Sequence, residues 1–192
     1  MKVLIACEVS GVVRDAFRGK GHEAYSCDIL PNDSPYHLQD DVRNILDKNW
    51  NMIIAHPPCT ALCVTGNRHY AGTQAREDAV EFFRLFLEAP CSHIVVENPV
   101  GCISSMIRPP TQYVQPYMFG HPATKKTGLW LKGLPKLLPT QIVEVEPPVS
   151  FASGKQMSAW FYKTSLLPQK ERAAARSVTF QGIASAMAEQ WG

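Results

Sequence analysis

Short apolar runs, each cut off by polar or proline residues, constrain this chain most. Val3-Leu4-Ile5-Ala6-Cys7, Met52-Ile53-Ile54-Ala55 and Ile94-Val95-Val96 are too brief for helices and show no polar/apolar alternation. Such runs are strands buried on both faces, the habit of parallel sheets. Glu23 to Cys27 is a further short strand, ending at Asp28. Helical segments separate them. Ser10-Gly11 makes a turn, and Val12 to about Arg18 reads as a helix stopped by Gly19 and Gly21. Asn32 to Pro35 is loop, and Asp41 to about Asp47 is read as a short helix. Pro57-Pro58 ends the third strand. From Ala75 to Glu88, residues Ala79, Phe82, Phe83, Phe86 and Leu87 share one face at the helical period. Strands that alternate with helices predict an α/β fold, a mostly parallel sheet flanked by helices.

Beyond residue 100 the pattern thins. Frequent prolines from Pro109 to Pro148 exclude long helices there. Gly128 to Leu131 reads as a strand. A last helix spans about Gly182 to Trp191, with Ile183, Ala186, Met187 and Gln190 towards the core. The chain is therefore divided into an α/β core over 1–131, a small Pro-rich and aromatic insertion over 132–168, and a C-terminal helix over 169–192 that returns to the core.

The 192 residues suit one domain, and 45% hydrophobic content can fill its core. The formal charge of +2 gives no general reason to bind nucleic acid, so any basic surface is local. The six cysteines, none beyond Cys102, make a poor disulfide framework and suit a reducing compartment. No stretch approaches the roughly 18 apolar residues of a membrane span. The expectation is a soluble, cytoplasmic protein with no membrane partner.

Ligands of open α/β sheets bind at the carboxyl ends of the strands. The polar residues gather there. Glu8, Ser10 and Gly11 follow the first strand, Asp28 the second, His56 to Thr60 the third, and Glu97-Asn98 the fourth. A strand, a turn and a helix followed by an acid about 20 residues on is nucleoside-binding logic, the acid taking ribose hydroxyls. Only Gly11 stands near the turn, which is too little for a pyrophosphate cradle. A nucleoside without phosphates, S-adenosylmethionine foremost, fits better. The bland alternative is a structural turn with a solvated Asp28. Cys59 follows two stiff prolines, which suits a presented thiol, and a positive neighbourhood would lower its pKa. Against this, a single cysteine is commonly a small buried hydrophobe. Glu97, after three apolar residues, is expected to be desolvated, with a raised pKa suited to proton donation. His56, Cys59, Cys63 and His69 are metal-ligand types, but their spacing matches no zinc pattern, and no metal is expected.

In this order the residues resemble the cytosine-C5 methyltransferase family. Pro57-Pro58-Cys59 is similar to its Pro-Pro-Cys loop, Glu97-Asn98 to its Glu-Asn motif, Asp28 to its ribose-binding acid, and Asp40-Asp41-Val42 to the segment that contacts the cofactor adenine. Lys170-Glu171-Arg172 to Thr179, followed by the last helix, is similar to the family's closing motifs. More narrowly, Cys7-Glu8-x-Ser10-Gly11, His56-Pro57-Pro58-Cys59 and Gly120 to Thr127 resemble the short phage and prophage proteins of this type, which act inside a bacterial host. The resemblance covers nearly the whole chain.

It implies a Rossmann-like methyltransferase sheet and S-adenosylmethionine as cofactor, held by Glu8, Ser10, Gly11, Asp28, Asp41 and Pro57. It implies catalysis by Cys59, Glu97 and Asn98 on C5 of cytosine in DNA, with Pro58, Thr60, Lys125 and Lys126 on the substrate. Three departures stand out. Ala6-Cys7-Glu8-Val9-Ser10-Gly11 replaces the glycine-rich cofactor loop. Thr60 replaces the usual Gln after the cysteine. The Arg-x-Arg motif is missing, with Lys125 and Lys126 its nearest counterparts. Lys155, Trp160, Phe161, Tyr162 and Lys163 lie where the family has a large recognition domain, and they suit either base stacking or core packing. The same chemistry on a free pyrimidine nucleotide or RNA, and a catalytically inactive phage module that binds nucleic acid or protein, are the alternatives. Oligomeric state stays open, with a homodimer one way to complete the recognition surface.

Overall fold

A computed structural model describes residues 1–192. Its elements run β1 (Lys2–Ala6), α1 (Val12–Gly19), β2 (Glu23–Asp28), β3 (His37–Gln39), β4 (Met52–Ala55), α2 (Asn67–Tyr70), α3 (Gln74–Glu88), β5 (His93–Pro99), α4 (Ile103–Met106), β6 (Gln112–Val114), β7 (Thr127–Lys132), β8 (Val149–Ser150), β9 (Gln156–Met157), α5 (Ala159–Ser165), α6 (Gln169–Ser177) and α7 (Gln181–Trp191). Seven strands form one sheet in the order β3-β2-β1-β4-β5-β7-β6. The pairings from β3 to β5 are parallel, and β7 lies antiparallel to both β5 and β6. The strand order reverses direction between β1 and β4, which opens a crevice at their carboxyl ends.

Successive residues of the central strands serve two separate cores. Val3, Ile5, Met52, Ile54 and Val95 face α1 and α7, and meet Val13, Phe17, Ile183 and Met187. Leu4, Ala6, Ile53, Ala55, Ile94 and Val96 face α3, and meet Val80, Phe83, Phe86 and Trp130. This is why the strands carry apolar residues without a break. Phe83 and Phe86 are buried in α3 as expected, but Val80 and Arg76 complete its inner face. Ala79, Phe82 and Leu87 flank it, half-buried. In α7, Ile183, Ala186 and Met187 are buried as expected. Gln190 is not a core residue, and its amide bridges the Leu138 backbone N–H and C=O, each at 2.8 Å.

The sequence expectation differs in two further places. Asp41 to Asp47 forms no α-helix. Asp41 instead caps a single 3-10 turn, Val42–Asn44, by accepting the Arg43 N–H at 3.0 Å. The segment from 169 onward holds two helices, α6 and α7, and the polar surface of α6 hid it from a reading based on apolar periodicity. No helix is long and apolar enough to cross a membrane.

The turn between β1 and α1 is built around a carboxylate. The N-cap, Gly11, has φ +75° and offers no side chain. A Cβ there would lie 2.2 Å from the folded-back Arg14 guanidinium. Glu8, 5% exposed, reaches across instead: Oε1 accepts the Val13 N–H at 2.8 Å and the Ser10 hydroxyl at 3.2 Å, and Oε2 accepts the Arg14 N–H at 3.3 Å. A negative charge at the start of a helix is favourable, and it satisfies donors that otherwise have no partner. Replacing Glu8 by Ala leaves two buried N–H groups unpaired, at about 1–3 kcal/mol each. The expected fall in Tm, measured by calorimetry, is roughly 5–15 °C for a domain of this size.

Candidate functional site

The carboxyl ends of β1, β2, β4 and β5 bound a groove of three adjoining clefts. The first, about 440 Å³, lies over β2 and is walled by Cys7, Asp28, Ile29, Asp41, Val42, Pro58 and Phe82. The second, about 400 Å³, shares Cys7, Asp28, Leu30 and Pro58 with the first and continues to Glu8, Ser10, His56, Cys59, Thr60 and Arg176. The third, about 530 Å³, begins at Cys59 and is lined by Cys63, Lys125, Lys126, Trp160, Phe161 and Arg176. Cys59 thus stands between a polar-acidic cleft on one side and a basic, aromatic cleft on the other.

Asp28 keeps a free carboxylate oxygen over the first cleft, because only Oδ1 is engaged, by the Leu30 N–H at 2.9 Å. Ile29 beside it is 71% exposed, an apolar wall with no core partner. Asp41 is committed to Arg43, whose backbone N–H and guanidinium hold its carboxyl below the usual range. Glu8 lines the second cleft, but its carboxylate is consumed by α1. Ser10 gives its hydroxyl to Glu8. Gly11 is buried. Cys7, in the left-handed conformation at φ 58°, carries a thiol whose pKa is raised, first by burial and then by Asp28.

The Pro-Pro-Cys loop is tied to β5 by two side chains. Asn98, 1% exposed, donates Nδ2–H to the Pro57 carbonyl at 3.0 Å. His56 Nδ1 lies 3.0 Å from Glu97 Oε2, so the ring N–H there points to the carboxylate. His56 Nε2 is buried and has no partner. Pro57 is buried, whereas Pro58 and Thr60 are exposed at the groove. The chain after Cys59 is held by Arg76, whose Nε donates to the Ala61 carbonyl at 2.8 Å. It is held also by two close approaches: a Cβ on Gly66 would lie 2.2 Å from the Thr60 carbonyl, and one on Gly101 2.0 Å from that of Leu62.

One of the two chemically central groups departs from expectation. Burial pushes the Cys59 thiol up, Cys63 and Glu97 add to this, and Lys125 only partly offsets it. The positive neighbour that would lower it is present but too weak to do so. Burial also disfavours an ionised Glu97, yet the His56 hydrogen bond, the Lys125 charge and the Thr127 hydroxyl outweigh it, and its pKa is lowered. The expected raised pKa of Glu97 is corrected, because the sequence did not reveal its partner across the sheet. Glu97 and Lys125 meet over a void of about 10 Å³; Lys125 also lines the third cleft, whereas Glu97 lines none of the three.

Lys125 Nζ donates to the Arg176 carbonyl at 2.8 Å and lies 5.6 Å from the Trp160 ring. Lys126, exposed, lies over Tyr113 at 4.2 Å. Trp160 packs against Phe180 and Tyr162 against Phe151, and Trp160 and Phe161 also line the third cleft, so the aromatics of α5 are half-buried rather than core residues. Sequence reasoning missed Arg176 as a site residue. Its guanidinium lies over Phe161 at 3.7 Å and donates to the Thr164 hydroxyl and the Phe161 carbonyl, clamping α5 to α6 between two clefts. His69 is exposed on α2, and no group of three or more His, Cys, Asp or Glu residues is arranged to hold a metal ion.

No protein-family model and no curated protein sequence matches the chain. Solved structures are similar to it. One is a protein assigned as a DNA modification methyltransferase encoded within an E. coli prophage, 18% identical with a TM-score of 0.52 over 74% of this chain and 52% of that one. Another is the methyltransferase EhMeth of Entamoeba histolytica, 13% identical with a TM-score of 0.50 over 73% of this chain and 57% of that one. The chain spans about half the length of these structures. The likeness shows the fold: a Rossmann-like methyltransferase sheet, mostly parallel, flanked by helices.

The upward shift of Cys59 has a direct readout. Only the thiolate alkylates, so its reaction with iodoacetamide is expected to be slower at pH 7–8 than that of a free cysteine and to keep climbing past pH 9. Lys125→Gln removes the one charge that opposes the shift, and should slow the reaction further. A wild-type rate that levels off below pH 8, followed by peptide mass spectrometry, would contradict this electrostatic account.

Proposed function

We propose that this protein is an S-adenosylmethionine-dependent methyltransferase that acts on C5 of cytosine in DNA through a covalent bond between Cys59 and C6. The observation that carries the reading is the continuous groove, with a nucleoside-sized acidic cleft at one end, a basic aromatic cleft at the other, and Cys59 where they meet.

The cofactor fits the residues present. The free oxygen of Asp28 suits ribose hydroxyls, and Ile29, Pro58 and Phe82 offer apolar walls to a flat base. Asp41 and Val42 form the floor, and Pro57 fixes the loop that closes it. The carboxylate of Glu8 at the start of α1 would repel a phosphate placed there, which favours a nucleoside without phosphates. Glu8, Ser10 and Gly11 thus serve the cofactor by shaping the turn. When bound, S-adenosylmethionine supplies an electrophilic methyl group on a sulfonium.

In this reading the Cys59 sulfur adds to C6 of the pyrimidine, and electron density moves towards N3 and the exocyclic group. Glu97 would stabilise that charge once it carries a proton, as a hydrogen-bond donor to N3. C5 would become nucleophilic towards the methyl group that the cofactor, held by Asp28 and the walls of the first cleft, would supply. Loss of the C5 proton and expulsion of Cys59 release the product. Asn98 is a positioning residue that holds the Pro57 carbonyl. Pro58, Thr60, Lys125 and Lys126 line the path of the base and its phosphates. In duplex DNA the base would have to leave the stack first.

Residues 132–168 act as a reduced recognition element, since beyond the last residue of β7 they contain only the β8–β9 hairpin and α5. The same sparse element favours a second reading, C5 chemistry on a free pyrimidine nucleotide or on RNA. Methyl transfer to dCMP and dUMP, RNA, single-stranded DNA and duplex DNA, compared side by side, separates the two.

Cys59→Ala is expected to abolish turnover while the affinity for S-adenosylmethionine, measured by calorimetry, stays near wild type. A 5-fluorocytosine substrate should give a covalent protein adduct by mass spectrometry, absent in the same variant. Asp28→Ala should weaken cofactor binding roughly 10–100-fold, the value of one charged hydrogen bond. Full methyl transfer by Cys59→Ala would overturn the mechanism.

A further inference from the structure

Resting on the cofactor reading above, we propose that Arg176 binds the carboxylate of the methionyl tail of S-adenosylmethionine. The clefts set the course of that tail. The first and second share Cys7, Asp28, Leu30 and Pro58, so a ribose at Asp28 with its base in the first cleft sends its 5′ substituent into the second. Cys59 and Arg176 are the two residues common to the second and third clefts. A methyl donor that ends beside Cys59 has its tail in the part of the groove that Arg176 lines.

The tail is zwitterionic, and its negative end needs a cation or a set of N–H donors. The start of α1, where backbone N–H groups would take an anion, is closed by Glu8, whose carboxylate accepts the Val13 and Arg14 N–H groups at 2.8 and 3.3 Å. His56 turns Nδ1 to Glu97, and its Nε2 is buried. Glu8 and Asp28 are the acids of the second cleft, and Arg176 is the single Lys or Arg that lines it. The third cleft has the opposite balance. Lys125 and Lys126 line it together with Arg176, and no Asp or Glu does. Substrate phosphates thus have two lysines to meet, whereas the cofactor carboxylate has one cation.

The guanidinium is held ready for such a partner. Nε donates to the Thr164 hydroxyl at 2.9 Å, Nη2 donates to the Phe161 carbonyl at 3.0 Å, and the group lies over the Phe161 ring at 3.7 Å. One edge of the fork fixes its position. The other edge, Nη1 with the second Nη2 hydrogen, makes no hydrogen bond within the protein. The Arg176 carbonyl is fixed too, by Lys125 Nζ at 2.8 Å. No Asp or Glu is paired with Arg176, so an incoming carboxylate displaces no counter-ion. Burial and then the neighbouring Arg172 lower its pKa, and a bound anion would oppose both. Two parallel N–H···O bonds from a guanidinium are the strongest common grip on a carboxylate.

The test is titration calorimetry of the full chain with S-adenosylmethionine and with its decarboxylated form, which keeps the nucleoside, the sulfonium and the ammonium. Wild type is expected to bind the decarboxylated form about 10–100-fold more weakly, the value of a charged hydrogen-bonded pair. Arg176→Gln should weaken S-adenosylmethionine by the same factor and leave the decarboxylated form unchanged, so that the variant no longer tells the two apart. Arg176→Lys, a point charge without the fork, should fall between. Equal affinity of wild type for both ligands, or a variant that weakens both alike, overturns the assignment. So does an Arg176→Gln protein that binds S-adenosylmethionine normally but loses affinity for a single-stranded DNA oligonucleotide, because the guanidinium then serves phosphate. Arg176 also clamps α5 to α6, so a wild-type measurement stands beside the variants: modification of Arg176 by phenylglyoxal, read by peptide mass spectrometry. At saturation S-adenosylmethionine should protect Arg176 and the decarboxylated form should not, and equal protection sinks the proposal. Failure of wild type to bind S-adenosylmethionine at all removes the cofactor reading and this proposal together. Normal binding without discrimination between the two ligands removes this proposal alone.

Discussion

The register of β4 against β5 determines the site. Ile53 pairs with Ile94, Ile54 with Val95 and Ala55 with Val96, all within the buried sheet. The next positions outward are His56 beside Glu97, and Pro57 beside Asn98. Both pairs are hydrogen-bonded, one through the imidazole and carboxylate, the other from the Asn98 amide to the Pro57 carbonyl. A slip of one residue would turn the apolar set of one strand towards the wrong core and separate both pairs. The packing of Ile53, Ile54, Val95 and Val96 against two different layers therefore fixes the position of polar groups that lie beyond it. Cys59 inherits its place from the same constraint, since the loop that carries it leaves β4 through two stiff prolines.

A second constraint acts at β1. The start of α1 is the natural anion site of such a fold, and the chain fills it with its own Glu8. The consequence reaches the groove. Ser10, Gly11 and Arg14 are drawn into the turn, Cys7 has a positive φ, and Asp28, Asp40, Asp41 and Arg43 are left as the charged groups of the first cleft. The glycine-poor loop is thus a different solution to closing the same turn. A carboxylate from the chain supplies what bound phosphate supplies in dinucleotide folds.

The central strands β1, β4 and β5 were legible because their residues are apolar on both faces, whereas β3 and β6, three residues each and part polar, were not. The positions of Asp28, Cys59 and Glu97 followed, since each terminates such a run. What the sequence concealed were interactions between elements remote in the chain. His56 and Glu97 lie 41 residues apart, and only the sheet register makes them partners. The lowered pKa of Glu97 depends on that partner, so a reading from apolar neighbours alone had the wrong sign. Arg176 sits on α6, a helix with no buried residue and hence no apolar period to announce it. Gly66 and Gly101 are ordinary isolated glycines until the carbonyls of Thr60 and Leu62 are seen against them. Fold followed from local pattern, whereas the state of the site depends on contacts that the pattern does not encode.

Burial acts on Cys59 and Glu97 alike, yet their protons are held oppositely. The difference lies in hydrogen bonding. Glu97 has a donor at 3.0 Å and two further favourable neighbours, whereas Cys59 has Lys125 as its single opposing charge and two acidic neighbours against it. The resting site therefore keeps a neutral thiol beside an ionised carboxylate. A neutral thiol is a poor nucleophile and a poor target for oxidants, so the groove can stand open without losing Cys59 to side reactions. On the proposed chemistry, reactivity then requires that the thiol lose its proton and that Glu97 gain one before it can donate to N3.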